Sequence, residues 1–240
     1  MSSEDVSALR SLVYKYASKL VDYPYDEDVE AMPRLLEEFR EALSVLGECD
    51  SVYKGLEEEA SGIKSVFARE LSELGRDYFQ AEYVSTFELG VKGPKCPLYE
   101  SEYVEATPEE LAKVFIETRK GLSDALGDLK SKLGVISSVS EFYSRYDVKA
   151  KDLIPDHIVA ELEFMHYLTA LECKATGRDR EEYLRSEAEF LEKHILRWID
   201  KLLECIREKS SLETYKLIFG VVSCFVKKDY EYVKSVLKKS

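Results

Sequence analysis

Only 11 glycines and 6 prolines punctuate the 240 residues, and alternating β-branched runs are scarce, which argues against a sheet-rich fold whose many turns need both. Histidine is scarcer still, with three. No apolar stretch approaches the ~20 residues of a spanning helix, so membrane insertion is not expected. The start, Met1-Ser2-Ser3-Glu4-Asp5, is acidic and leads into an amphipathic segment, unlike a signal peptide. The five cysteines, Cys49, Cys96, Cys173, Cys205 and Cys224, have no regular spacing. They read as neither a zinc site nor a disulfide framework, and a reducing cytoplasm is expected. Basic residues are in deficit, 34 against 47 acidic, for a formal charge of -13. That surplus repels nucleic acid and anionic membrane and attracts a basic partner.

What is abundant is Leu, Glu, Lys, Ala and Arg, a helical composition that also suits a thermophile. An all-α single helical globule of about 9–11 helices is expected. The first covers about residues 5 to 21, with Val6, Leu9, Val13, Tyr16, Ala17 and Leu20 on its buried stripe. Pro33 opens the next and Gly47 stops it. A third region, about 61 to 87, breaks near Gly75. Thr107-Pro108-Glu109-Glu110 is a capping box starting a helix to about Leu133, and a short helix follows over about 139 to 146. From Leu184 to Ile206, nearly heptad spacing through Trp198 marks a long core helix. Ser210-Ser211-Leu212-Glu213 is another capping box, and Asp229 is placed as the cap of a final short helix. The chain divides into an N-terminal helical part (1–146), a polar linker or hinge (147–154) and a C-terminal helical part (155–240), whether or not the two parts pack as one domain.

Chemistry concentrates at Pro155-Asp156-His157, just after that linker and running into the apolar-periodic segment Ile158 to Leu168. Pro155 fits the first turn of a helix, and Asp156 then complements its unpaired N–H groups. Glu161 lies one turn beyond His157, within side-chain hydrogen-bonding reach. A cap and an ion pair account for the block as well as a binding role does. The loop from Gly90 to Tyr103 is long and aromatic, and ordered loops of this kind often carry function. Tyr99, Glu100 and Tyr103 form either one wall of a recognition groove or pins that hold the loop to the core. Glu163-x-x-His166 has the spacing of a di-iron ligand pair, but it has no second copy: Glu192 and His194 are two apart and point to opposite sides. No Walker A loop, dinucleotide fingerprint or nucleophile elbow is present.

Pro155-Asp156-His157, followed by Glu161-Leu162-Glu163-Phe164-Met165, resembles the signature of the TorD/DmsD family of cytoplasmic molybdoenzyme-maturation chaperones. Ser140-Glu141-Phe142-Tyr143 is similar to the helix that precedes that signature. Ala17 to Pro24, with its Tyr23-Pro24 turn, and Gln80 to Phe87 look like the related NarJ, or nitrate reductase delta-subunit, branch. The resemblance runs from about residue 12 to about 172. It departs at Pro97-Leu98-Tyr99-Glu100-Ser101, which matches the TorD/DmsD aromatic-Ser segment only loosely. It implies an all-helical, non-catalytic cytoplasmic chaperone. Its partner would be a molybdopterin oxidoreductase catalytic subunit, bound at its twin-arginine leader or apo form and held for cofactor insertion. It also implies that Pro155, Asp156, His157 and Glu161, with Tyr99, Glu100 and Tyr103, belong to the client-binding region. No cofactor or metal of its own is implied, although nucleotide (GTP) binding occurs in the family. A nucleotide- or metal-dependent helical enzyme and a helical scaffold without leader binding are the alternatives. A short hinge before a detachable lobe permits domain exchange, which leaves a homodimer open.

Overall fold

A computed structural model describes residues 3–89, 93–112, 114, 123–151 and 153–239. Among the described residues eleven α-helices run in the order α1 Ser3–Val21, α2 Asp26–Cys49, α3 Leu56–Ala60, α4 Ile63–Leu74, α5 Arg76–Tyr83, α6 Pro108–Ala112, α7 Ser123–Arg145, α8 Ile158–Lys174, α9 Gly177–Phe190, α10 Leu196–Lys209 and α11 Glu213–Leu237. The all-α expectation holds: among the described residues there is no strand, and Tyr99 with His157 forms an isolated bridge. The proposed helix from Thr107 to Leu133 crosses residues 113 and 115–122, which lie outside the described residues, as do Gly90 to Lys92 of the long loop and Asp152 of the linker. At its start the Thr107 capping box is present: the Thr107 amide donates to Glu110 Oε2 at 2.6 Å and the Glu110 amide to Thr107 Oγ1 at 3.3 Å.

Several boundaries differ from the sequence reading. Pro33 lies inside α2, which opens at the acidic turn Asp26-Glu27-Asp28, where carboxylates complement the free N–H groups. The short segment near 139 to 146 is the end of α7. The long core helix is real but passes through a π-helical turn, Leu191–Ile195, between α9 and α10. The start of α11 is capped from outside. Glu70 of α4 accepts the amides of Glu213 (2.7 Å) and Thr214 (3.1 Å), so the local serine box is not used.

The largest correction concerns Asp229, which caps nothing: it sits inside the single continuous helix α11 and is fully buried. It is the centre of a clamp. Arg10 of α1, also fully buried, donates to Asp229 Oδ1 at 2.6 Å, Glu172 Oε2 at 2.8 Å and Glu187 Oε2 at 2.5 Å. The phenols of Tyr14 and Tyr53 donate to Asp229 at 2.7 and 2.6 Å. Arg10 thus ties α1 to α8, α9 and α11 at once. Arg180 adds a second cation on Glu172 at 2.6 Å. Two cations facing three carboxylates leave one negative charge in excess. That excess falls on Glu187, whose pKa is pushed up to about 8 by burial, against the pull of Arg10. Around the clamp, Val13, Tyr14, Ala17 and Leu20 of α1 join Leu162, Met165 and Leu168 of α8 in one continuous core.

A disulfide joins Cys96 to Cys205, 109 residues apart, which corrects the reading of five unpaired thiols. Only the fold brings the two together, so no local spacing could reveal them. Among the described residues, no helix is long and apolar enough to cross a membrane.

Candidate functional site

The block at Pro155 does not begin its helix where the sequence suggested. Pro155 and Asp156 form a turn, and α8 starts at Ile158 with His157 as its cap, the His157 Nδ1 accepting the Val159 amide at 3.2 Å. The delay has a physical cause: the chain first makes a short antiparallel bridge, Tyr99 with His157. The Glu100 amide donates to the Asp156 carbonyl and the Ile158 amide to the Leu98 carbonyl, both at 2.9 Å. Asp156 Oδ2 then accepts the Ser101 amide at 3.0 Å, and the Tyr143 phenol donates to the Pro155 carbonyl at 2.8 Å. The acid therefore secures the loop that crosses it instead of capping its own helix.

Glu100, one residue past the bridge, is fully buried with His194 and Glu161. His194 Nδ1 lies 2.9 Å from Glu100 Oε2, and Arg197 Nη1 is 3.5 Å from Glu100 Oε1. The Trp198 indole donates to Glu161 Oε2 at 3.2 Å, so the His157–Glu161 side-chain pair suggested by spacing is not formed. Burial, with the negative charges of Glu100 and Asp156, pushes the Glu161 pKa well up. Burial also raises Glu100, against His194 and Arg197. Burial beside two other carboxyls thus favours the neutral form of Glu161 over its carboxylate. Burial raises Asp156 too, against its bond from Ser101.

The seven residues singled out in the sequence are thus one connected unit, but with unequal access to solvent. Glu100, Asp156 and Glu161 are fully buried and His157 is nearly so, whereas Tyr99 and Tyr103 are half-buried. Tyr99 meets His157 edge-on at 5.0 Å, and Tyr103 stacks on Trp198 at 5.6 Å. The residues that reasoning from the sequence missed are His194, Arg197 and Trp198. Their signal was present: spaced three and four apart, they share one face of the helical segment. The π-helical turn carries His194, and such turns recur at functional sites.

The loop secured by Asp156 leads directly into a cleft of about 560 Å³, whose walls include Glu102, Tyr103, Glu105 and Asp128. Lys132 is the cation on that wall, and it is already held by Glu102 at 2.8 Å and Asp128 at 3.7 Å. The cleft thus presents carboxylates next to an aromatic face. It suits guanidinium groups, which bind carboxylates through two parallel N–H donors and stack on aromatic rings.

Residues 49–204 match the family described as nitrate reductase delta subunit. The chain belongs to that family. Every residue of the bridge, the buried acids and the acidic cleft falls within the matched span, whereas Arg10 and Asp229 of the clamp lie outside it. This delta-subunit family member is 29% identical over 131 residues to the chlorate reductase assembly chaperone protein of Ideonella dechloratans, covering 52% of this chain and 56% of that protein. It is 25% identical over 233 residues to the perchlorate reductase assembly chaperone protein of Dechloromonas aromatica, covering 92% of this chain and 88% of that protein. Against the selenate reductase assembly chaperone protein of Thauera selenatis it is 28% identical, again over 52% of this chain and 56% of that protein. The chain therefore spans little more than half the length of two of these relatives. The assignment agrees with the resemblance to molybdoenzyme-maturation chaperones read from the sequence.

Proposed function

We propose that the protein is an assembly chaperone that binds the basic leader, or another segment, of an apo molybdopterin oxidoreductase subunit and holds it for cofactor insertion. It acts without catalysing a reaction. The carrying observation is the acidic, aromatic cleft at the end of the loop that Asp156 secures. The relatives named as reductase assembly chaperones supply the class of client. In this reading Glu102, Glu105 and Asp128 meet the arginines, Tyr103 offers a ring face, and Tyr99 and Pro155 with the buried Glu100, Asp156, His157 and Glu161 set the loop. Those buried residues are positioning residues, which accounts for functional chemistry that no client could touch directly.

Titration with a twin-arginine leader peptide and its double-lysine counterpart tests the proposal. Tight binding of the arginine form is expected, weakened at least about tenfold by Glu102→Gln with Glu105→Gln, because two charge-assisted bonds are lost. Equal binding of the lysine form, or no response to the double substitution, refutes recognition at this cleft.

A further inference from the structure

A second cavity, of about 390 Å³, opens between α1, α8 and linker residues 148–151 and 153, and among the described residues it shares only Tyr143 with the site above. Its size falls in the range of small-molecule sites. Its chemistry is opposite to that of the acidic cleft. Four lysines line it, Lys15 and Lys19 from α1 and Lys149 and Lys151 from the linker, together with Tyr143 and Phe164, whose ring centroids are 4.6 Å apart. In a chain of net charge -13, four lysines drawn from two distant segments to the mouth of one apolar cavity make a local reversal of sign. Among the described residues none of the four makes a direct ion pair or a side-chain hydrogen bond. Lys132, Lys193 and Lys227, by contrast, each hold a carboxylate. Lys19 is within longer electrostatic reach of Glu38. Among the described residues the carboxylate of the lining is Glu163, outnumbered by the four lysines. His166 also lines the cavity; burial lowers its pKa, and its Nδ1 is engaged at 2.8 Å with Ser11 Oγ.

We propose that this cavity binds an amphipathic organic anion, a flat apolar body carrying two or more negative charges. The rings and aliphatic side chains take the body, and the lysines take the charges as mobile point cations on flexible stems. A second negative charge is favoured because one alone is partly offset by Glu163. The proposal is independent of leader recognition, since a basic peptide is repelled here.

The probes are anilinonaphthalene sulfonate, its uncharged analogue phenylnaphthylamine, and naphthyl phosphate against naphthol as displacing ligands. Expected are saturable one-site binding of the sulfonate dye, weaker binding of the neutral analogue, and displacement by naphthyl phosphate but not by naphthol. Lys15→Glu with Lys19→Glu, exposed positions whose fold is checked by circular dichroism, should weaken the dye at least about tenfold. Lys149→Glu with Lys151→Glu should do the same from the other wall, while Glu163→Gln should tighten it severalfold. The proposal is overturned if the neutral analogue binds as well as the sulfonate, if naphthol displaces as well as the phosphate, or if neither lysine pair alters binding. An unchanged affinity in Glu163→Gln also counts against it, since a merely apolar patch ignores that charge.

Discussion

Breaking the Cys96–Cys205 bond should lower stability without unfolding the protein. The bond closes a segment of 109 residues, and constraining a loop of about that length in the unfolded chain is worth roughly 4.7 kcal/mol by chain entropy. The native loop has its own anchors: Cys96 is fully buried, and its amide donates to the Thr86 carbonyl at 2.7 Å. The effect therefore falls on the unfolded state, and the bridge at Tyr99 should survive. For a chain of this size about 2–4 °C accompanies each kcal/mol, so Tm should fall by roughly 10 °C or more. The assay is thermal and urea unfolding with and without dithiothreitol, beside Cys96→Ser with Cys205→Ser, followed by circular dichroism and by the fluorescence of the single tryptophan, Trp198. Thiol titration of the denatured, unreduced protein should find Cys49, Cys173 and Cys224 alone. Five titratable thiols, or a Tm indifferent to the reductant, would refute the reasoning.

Two further expectations concern buried charge. Burial pushes the His157 pKa down to about 4, below its unfolded value, so the unfolded state takes up a proton first as pH falls. The His157 contribution is therefore intact above about pH 6.5 and is lost progressively down to about pH 4, by up to about 3 kcal/mol. His157→Asn, which keeps a capping side chain, should remove that slope in the difference between urea unfolding curves at neutral and acid pH; parallel curves would contradict it. Arg10→Met leaves Glu172, Glu187 and Asp229 without their shared cation and should cost about 3–5 kcal/mol. Arg10→Lys should recover only part, since an ammonium lacks the fork that reaches three carboxylates; a loss under about 1 kcal/mol in Arg10→Met would show that the clamp carries little.

How much was legible depended on the distance over which each feature is written. Composition and periodicity are local sums, and they yielded the helical class, most helices and the Thr107 capping box. The clustering of the chosen residues was legible: Tyr99 and Glu100 meet His157 and Asp156 directly, and Tyr103 joins them through Trp198, which bonds Glu161. Its internal roles were not, because whether Asp156 caps α8 or holds the Ser101 amide depends on a loop 55 residues away. Asp229 shows the same limit. An acid behind the two lysines Lys227 and Lys228 reads as a cap until Arg10 is found against it. The one local clue to that pair was Arg10 itself, which falls four after Val6 and three before Val13, on the stripe that should have been apolar.

The clamp also gives the chain a temporal order. Arg10 and Asp229 are 219 positions apart, and at about 5–20 residues per second of synthesis the partner is made roughly 10–45 s after the arginine. Glu172 and Glu187 are made sooner, but until Asp229 follows the clamp lacks the carboxylate that also takes the Tyr14 and Tyr53 phenols, and burying polar groups without their partners is costly. Helix α1 thus completes its docking only once α11 is made, and a chain that stops short of residue 229 leaves the clamp around Arg10 unfinished.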